Sequence, residues 1–179
     1  MNKKILVLYG HKGVGKSTIA SELSSRYKWH SAAFADPIRS MLAGAFGTDF
    51  LNKFTDKESP RDDLGGKSIR QAMMTLGTEW GREMMYQNIW VDCTVRRIKN
   101  WEWASKIVID DARFNNEYDA LKKLGAKFVK ILRDGVEPSD LSHSSEQDWP
   151  LWVPDLFVVN ENVSEVAQEI DEWFQHEGN

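Results

Sequence analysis

Residues 5–17 read ILVLYGHKGVGKS, and no other segment of the chain is as characteristic of a fold class. The run 5–9 is apolar throughout and too short for a helix, which is typical of a strand buried on both faces of a parallel sheet. Residues 10–17 match the pattern G-x-x-x-x-G-K-[ST] at every defined position. Beyond them, apolar residues recur at helical spacing, which predicts a helix from Lys16 to just before Lys28. We therefore expect a strand, a tight loop and a helix in direct succession.

The glycine-rich loop in this stretch predicts a binding site for the phosphates of ATP. Glycines allow successive backbone N–H groups to curl around a phosphate, and the helix N-terminus adds partial positive charge. We expect Lys16 to reach the β- and γ-phosphates and the hydroxyl of Ser17 to coordinate Mg²⁺. The alternative is a glycine turn that only joins a strand to a helix. The predicted ATP-binding residues of the loop and the first helical turn are Gly10, Lys12, Gly13, Val14, Gly15, Lys16, Ser17 and Thr18.

Four more apolar runs have the length and composition of strands. They are 30–34, 106–109, 128–132 and 156–159, and helical patterns lie between them. Strands that alternate with helices predict an α/β fold, here a five-stranded, mostly parallel sheet flanked by helices. Ligands of such sheets bind outside the carboxyl ends of the strands. The loops expected to meet at that edge follow Tyr9, Phe34, Ile109 and Leu132.

Capping residues predict two helix starts. In Asp36-Pro37 the aspartate has the properties of an N-cap and the proline those of a first helical residue. Ser164 precedes an apolar helical pattern and is expected to cap the last helix. Asp36 has a second interpretation, contact with a substrate, and both interpretations stay open at this point.

The strand at 106–109 ends in two carboxylates, Asp110 and Asp111. Acidic residues at this place hold Mg²⁺, directly or through water, in enzymes with the same phosphate-binding loop. Acidic residues also follow many strands as helix caps, so the interpretation depends on the loop, which requires a magnesium partner. Arg113 follows in the same segment and is placed to balance phosphoryl charge. We expect Ser17, Asp110 and Asp111 to hold the metal.

Charge and composition argue against several classes of protein. The formal net charge is −4, whereas proteins that bind a nucleic-acid backbone depend on clustered Lys and Arg. No apolar stretch approaches the roughly 18–20 residues of a membrane-spanning helix, and the N-terminus lacks a signal-peptide pattern. A single cysteine, Cys93, leaves no internal disulfide and fits a reducing compartment. We therefore expect a cytoplasmic protein with small-molecule partners, without nucleic acid or membrane.

Several segments together resemble the bacteriophage deoxynucleoside monophosphate kinase family, a branch of the adenylate-kinase-like P-loop kinases. The resemblance covers nearly the whole chain, and its combination of motifs is more specific than the phosphate loop alone, which many NTPases share. Its segments are 10–17, Phe34-Ala35-Asp36-Pro37, Leu76-Gly77-Thr78-Glu79-Trp80-Gly81-Arg82 with Trp90 downstream, Asp111-Ala112-Arg113-Phe114-Asn115-Asn116-Glu117, His143-Ser144-Ser145-Glu146 and Val159-Asn160.

The resemblance implies a P-loop NTPase fold in a single kinase domain, 1–179. Within it, a helical substrate-binding region would occupy 37–105 and a lid would occupy 133–154. The implied reaction is phosphorylation of a deoxynucleoside monophosphate to the diphosphate by ATP with Mg²⁺. The location would be the cytoplasm, that of the host if a phage encodes the chain. The resemblance also suggests a homodimer.

The resemblance further implies roles for individual residues. Lys16, Arg113 and Asp111 would be catalytic, and Arg133 would bind ATP from the loop after the fourth strand. Arginine suits phosphate oxygens because its planar guanidinium can donate two parallel hydrogen bonds. The alternative for each arginine is a solvated surface, and for the other residues it is packing, capping or loop hydrogen bonding. The implied substrate-binding residues are Asp36, Arg70, Glu79, Trp80, Arg82, Trp90, Glu117, His143 and Glu146.

Three other functions remain as alternatives. A kinase for another small metabolite, of the dephospho-coenzyme A or phosphomevalonate type, would use the same scaffold. A GTPase would need the same phosphate loop, but Asn52-Lys53-Phe54-Thr55 lacks the aspartate of the guanine-reading N-K-x-D. Asp63-Leu64-Gly65-Gly66 matches D-x-x-G, yet it follows a polar loop instead of an apolar strand. The third alternative is a nonenzymatic nucleotide-binding protein.

Overall fold

The chain forms two compact units in a computed structural model that describes residues 3–47, 57–136 and 151–176. The first unit consists of Met1–Ala33 and Arg97–Asn179, and the second is Phe34–Arg96. The glycine-rich loop belongs to the first unit, and most of the region predicted to bind substrate belongs to the second. Among the described helices, none combines the length and the apolar character needed to cross a membrane.

A five-stranded sheet organises the first unit. It follows the order β2-β3-β1-β4-β5, and its four pairings are all parallel. The predicted α/β fold with a parallel sheet is therefore confirmed. β1 lies at the centre and is buried from Ile5 to Tyr9, which explains its unbroken apolar sequence. The strands are β1 (Lys4–Tyr9), β2 (His30–Ala32), β3 (Lys106–Ile109), β4 (Lys127–Leu132) and β5 (Leu156–Val159).

Helices connect the parallel strands and account for most of the second unit. In the described part of the chain the α-helices are α1 (Lys16–Tyr27), α2 (Asp36–Phe46), α3 (Ile69–Met74), α4 (Ile89–Asn100), α5 (Asn115–Lys123) and α6 (Val163–His176). A π-helix, Thr75–Met85, continues directly from α3. The first helix has the bounds that the sequence predicts.

Apolar side chains of the sheet pack against α1 and α6. The buried cluster includes Leu6 and Leu8 of β1, Leu23 of α1, and Ile170 and Phe174 of α6, each at most 2% exposed. Burying a side chain of this size contributes about 1.5–3 kcal/mol relative to leaving it in water. This packing holds α1 against the sheet, and the end of the glycine-rich loop is held with it.

The start of α2 differs from its prediction. The helix begins at Asp36 itself, because Ala35 already has helical backbone angles of φ −78° and ψ −10°. The carboxylate of Asp36 accepts a hydrogen bond from Nη1 of Arg39 at 2.9 Å, one turn along the helix. Asp36 is therefore not an N-cap, and its pairing is with a side chain.

The start of α6 also differs from its prediction. The helix begins at Val163, and Oδ1 of Asn162 accepts a hydrogen bond from the backbone N–H of Ser164 at 3.0 Å. The hydroxyl of Ser164 instead donates to Oε1 of Glu22 on α1 at 2.8 Å. Asn162 therefore caps α6, and Ser164 ties that helix to α1.

Asp171 of α6 is a buried carboxylate, 3% exposed, with three hydrogen-bond donors around it. Oδ1 accepts from the indole N–H of Trp29 at 2.7 Å and from Nζ of Lys106 at 2.8 Å, and Oδ2 accepts from Nε2 of Gln175 at 2.5 Å. Burial alone would raise the pKa of Asp171. The three hydrogen bonds together outweigh burial, so the pKa lies below its ordinary value.

Replacing Asp171 with alanine is expected to lower the free energy of unfolding by about 3 kcal/mol, because Lys106 would lose its buried partner. Urea unfolding followed by circular dichroism measures this loss. Glu172→Ala changes the exposed neighbour on α6 and serves as the control, with an expected effect below about 0.5 kcal/mol. Equal losses in the two variants would contradict a specific contribution from Asp171.

The pH dependence of this loss has a defined sign. A carboxyl with a depressed folded pKa stabilises fully above its unfolded pKa, ordinarily 3.8, and the stabilisation disappears as the pH falls through the folded value. The stability difference between the native protein and Asp171→Ala is therefore expected to be constant down to about pH 5 and to shrink below about pH 4. A difference that grows on acidification would contradict the ion pair.

Candidate functional site

Two glycines of the loop between β1 and α1 stand where the backbone passes too close to its neighbours for a side chain. Gly10 has φ +141° and Gly15 has φ +96°, both in the region that favours glycine. A Cβ atom at Gly10 would lie 2.4 Å from the carbonyl oxygen of Ile131 on β4. A Cβ atom at Gly15 would lie 2.3 Å from Nδ2 of Asn160. The observed path of the loop therefore requires glycine at both positions.

Lys16 is the first residue of α1, and its side chain folds back along the loop. Its Nζ donates to the carbonyl oxygens of Gly10 at 2.7 Å and His11 at 2.8 Å, so it spans the loop from end to start. Ser17 and Thr18 are exposed in the same helical turn. Backbone N–H groups at a helix N-terminus attract anions. An ammonium group, two hydroxyls and these amides are a donor set that suits a chain of phosphates.

Asn160 contacts the loop; it belongs to a segment of the family resemblance, but no role was predicted for it. It directly follows β5, is 5% exposed, and donates from Nδ2 to the carbonyl oxygen of Val14 at 2.7 Å. The sequence signal is a polar residue at the carboxyl end of a strand, where ligands of parallel sheets bind. Its partner is 146 residues away in the chain, so spacing could not identify the contact.

The two carboxylates predicted to hold magnesium follow β3, the strand next to β1. The pairing of Ile109 with Val7 places Asp110 and Asp111 beside the end of β1, where the loop begins. Both residues are half-buried. Across the described ranges, no three His, Cys, Asp or Glu side chains are grouped to hold a metal. The predicted ligands, two carboxylates and the hydroxyl of Ser17, are oxygen donors of the kind that Mg²⁺ takes, with substrate phosphates and water completing its shell.

Glu117 holds the segment that follows these carboxylates. It is 1% exposed, and its Oε2 accepts hydrogen bonds from the backbone N–H of Arg113 at 2.6 Å and of Phe114 at 3.1 Å. A carboxylate in the first turn of α5 also interacts favourably with the helix dipole. Glu117 thus fixes the backbone that carries the exposed side chain of Arg113. Arg133, also exposed, follows β4 at the same edge of the sheet.

The sequence matches the family model for deoxynucleotide monophosphate kinase over residues 62–170. It is also 31% identical to a protein of Acanthamoeba polyphaga mimivirus whose own assignment as a deoxynucleotide monophosphate kinase is provisional. That alignment covers 79% of this chain and 80% of the mimivirus protein. The chain belongs to the deoxynucleotide monophosphate kinase family. The family resemblance predicted from the sequence is confirmed, and the protein is a kinase that acts on small molecules.

Solved structures share the fold of this kinase at low sequence identity. Shikimate kinase from Aquifex aeolicus has a TM-score of 0.56 and 16% identity, with 97% of this chain and 98% of that chain covered. A candidate kinase from Chloroflexus aurantiacus has a TM-score of 0.50 and 11% identity, with 96% and 98% covered. At these identities the likeness shows the kinase fold alone.

The second unit of this family member carries most of the residues predicted to bind substrate. Arg70 in the first turn of α3 is exposed and forms an ion pair with Glu58. In the π-helix, a carboxylate oxygen of Glu79 accepts from the hydroxyl of Thr75 at 3.4 Å, and Arg82 donates to a backbone carbonyl at 3.4 Å. Both distances are long for hydrogen bonds. The roles of Arg70, Glu79 and Arg82 in substrate binding stay predictions.

Trp90 is 3% exposed and packs on two glycines of the π-helix. Its indole N–H donates to the carbonyl oxygen of Gly77 at 2.7 Å. A Cβ atom at Gly81 would lie 2.5–2.7 Å from three atoms of the Trp90 ring. Trp80, which is less buried, lies beside Trp90 with 6.3 Å between the ring centroids. Trp90 therefore supports the π-helix from inside the unit, and Trp80 is the more accessible of the two indoles.

Some predicted segments lie outside the described residues. They include His143 and Glu146, most of the region 133–154, and the near match to a guanine-reading motif at 52–55. The D-x-x-G match at 63–66 is described, and it forms an exposed turn whose flanks are joined by an isolated bridge between Arg61 and Lys67. This turn directly follows none of the five strands of the sheet, in agreement with the polar sequence that precedes it.

Gly81→Ala is expected to lower the free energy of unfolding by about 2 kcal/mol, because the new methyl group would overlap the buried ring of Trp90. Gly44→Ala is the matched control, since Gly44 is also helical and has no neighbouring atom within 4 Å of an added Cβ. The control should leave stability unchanged or raise it by up to about 1 kcal/mol. Chemical denaturation of both variants measures the difference. Similar stabilities for the two variants would contradict the packing of Trp90 on Gly81.

Proposed function

We propose that this kinase transfers the γ-phosphoryl group of ATP to a deoxynucleoside monophosphate and releases the diphosphate and ADP. The observation that carries the proposal is the position of the Lys16 ammonium along the loop, between Gly10 and the N-terminus of α1. Membership of the deoxynucleotide monophosphate kinase family supports the choice of acceptor.

In this proposal the first unit binds the phosphates of ATP. Backbone N–H groups from Gly13 to Thr18 surround the β-phosphate, and Lys16 leaves its carbonyl partners to bridge the β- and γ-phosphates. Arg113 and Arg133 follow β3 and β4, the two strands that flank β1, and neutralise the charge that spreads over the transferred group. Mg²⁺ bound near Ser17, Asp110 and Asp111 would supply the remaining neutralisation of the β- and γ-oxygens.

Residues of the second unit are proposed to hold the acceptor. Arg70 and Arg82 are donors for its phosphate, and the accessible face of Trp80 is a stacking surface for its base. The attacking phosphate oxygen is already ionised at neutral pH, so the transfer requires no strong general base. Catalysis then comes from alignment and charge neutralisation, without a covalent enzyme intermediate.

An acceptor panel tests the proposal directly. ADP release is measured with ATP and Mg²⁺ in the presence of individual deoxynucleoside monophosphates, ribonucleoside monophosphates, dephospho-coenzyme A and phosphomevalonate. We expect ADP release to depend on one or more deoxynucleoside monophosphates and to be negligible without acceptor. Dependence on dephospho-coenzyme A or phosphomevalonate would replace the proposed acceptor. Acceptor-independent hydrolysis of GTP would replace the proposed reaction class.

Lys16→Ala is expected to lower the rate of ADP formation by at least about a hundredfold, because it removes a preorganised donor from the transferring group. The fold should survive, since the lysine side chain is not part of the apolar core. Steady-state kinetics measures the rate, and circular dichroism checks the fold. Lys123→Ala, an exposed lysine on α5, is the control and should retain full activity. Turnover of Lys16→Ala within about threefold of the native protein would remove Lys16 from the mechanism.

A further inference from the structure

Asn160 stands where the last strand of the sheet meets the glycine-rich loop. Its backbone N–H donates to the carbonyl oxygen of Leu132 at 2.7 Å, which extends the pairing of β4 and β5 by one residue. Its side-chain Nδ2 donates to the carbonyl oxygen of Val14 at 2.7 Å. The side chain is therefore fixed at one end by the sheet and holds the loop at the other.

The contact determines the orientation of one peptide unit of the loop. A trans peptide is planar, so its carbonyl and its N–H point in opposite directions. When Asn160 holds the carbonyl of Val14, the N–H of Gly15 must point away from Asn160. The carbonyl of Gly15 accepts the first hydrogen bond of α1, from the N–H of Ile19 at 2.9 Å. Gly15 therefore links the loop to α1. Its carbonyl belongs to the helix, and the bond from Asn160 to Val14 sets the orientation of its N–H.

The side chain of Asn160 packs closely against Gly15. Nδ2 of Asn160 lies 2.3 Å from the position that a Cβ at Gly15 would take, so the amide occupies the space which the glycine leaves open. Both Asn160 and Val14 are buried, at 5% and 2% exposure. Without the amide, the carbonyl of Val14 would be left without this donor in a place that is shielded from solvent.

We infer that Asn160 is a positioning residue for ATP, which keeps the loop in its phosphate-binding curvature by holding the Val14 carbonyl and thereby aiming the N–H of Gly15. The inference rests on the proposed function, because it assumes that the loop binds the phosphates of ATP. Asn160 itself touches no reacting atom. Its effect passes through the backbone of Val14 and Gly15.

The chain offers a matched control two residues further on. Asn162 caps α6 through its bond to the N–H of Ser164, so its loss should destabilise the same junction between β5 and α6. In the described part of the chain, the side chain of Asn162 bonds to Ser164 and Glu165 of α6 and not to the loop, so its loss should leave the loop unchanged. A residue with a merely structural role would behave like Asn162, and a positioning residue would not.

The experiment compares the native protein with Asn160→Ala, Asn160→Leu and Asn162→Ala. Isothermal titration with ATP and Mg²⁺ gives the dissociation constant, steady-state kinetics gives separate KM values for ATP and for the acceptor, and thermal unfolding without nucleotide gives the Tm. Asn160→Leu keeps the approximate size of the side chain and removes the donor without adding a charge. It decides the matter if Asn160→Ala does not fold.

We expect both Asn160 variants to bind ATP about tenfold more weakly and to show a similar rise in the KM for ATP, with the acceptor KM unchanged. Asn162→Ala should lower the Tm and bind ATP like the native protein. ATP binding by Asn160→Leu within twofold of the native value would overturn the inference. Equal weakening in the Asn160 and Asn162 variants would overturn it too, because the effect would then be one of stability. If the native protein binds no ATP, the proposed function fails first, and the inference fails with it.

Discussion

At the carboxyl end of β1 the backbone of the glycine-rich loop passes very close to its neighbours, and the geometry of the site follows from this close approach. The loop leaves β1 so near the carbonyl of Ile131, and enters α1 so near the amide of Asn160, that Gly10 and Gly15 have no room for a side chain. Ile131 lies in β4 and Asn160 follows β5, so the backbone of both neighbours is bonded into the sheet. The parallel sheet thus determines the path of the short loop. The path of the loop in turn determines where its N–H groups and Lys16 lie.

The parts of the fold that local sequence determines were predicted correctly. β1 is buried on both faces, so its unbroken apolar run identifies it as a strand without knowledge of the neighbouring strands. The bounds of α1 follow from the helical spacing of its apolar residues alone. The helix caps at Asp36 and Ser164 were assigned to the wrong residues, because Ala35 already has helical angles and Asn162 supplies the cap. Strand order and the contact of Asn160 with Val14 depend on pairing between distant segments, for which one sequence contains no direct signal.

The second unit shows a different limit of sequence reasoning. The sequence predicts a helical region over 37–105, but apolar spacing does not separate an α-helix from the π-helix that occupies Thr75–Met85. The structure supplies a reason for the two glycines in this segment: the ring of Trp90 lies against Gly81, and its N–H reaches Gly77. The segment 76–82 with Trp90, which the resemblance links to substrate binding, therefore also has a packing explanation. Trp80 lies between these glycines and Arg82 directly follows Gly81, so the backbone of both residues belongs to the segment that Trp90 supports.

The extent of the family match bears on which residues distinguish this kinase from others with the same fold. The matched region, 62–170, begins long after the glycine-rich loop at 10–17. Backbone amides and one lysine can bind the phosphates of any nucleoside triphosphate, so this loop carries little information about the acceptor. The matched region instead contains the π-helix, the segment held by Glu117, and Asn160. Glu117 and Asn160 bond to the backbone of neighbouring segments, and Trp90 supports the π-helix from within the second unit. Residues that hold backbone segments in place thus lie inside the matched region, whereas the glycine-rich loop precedes it.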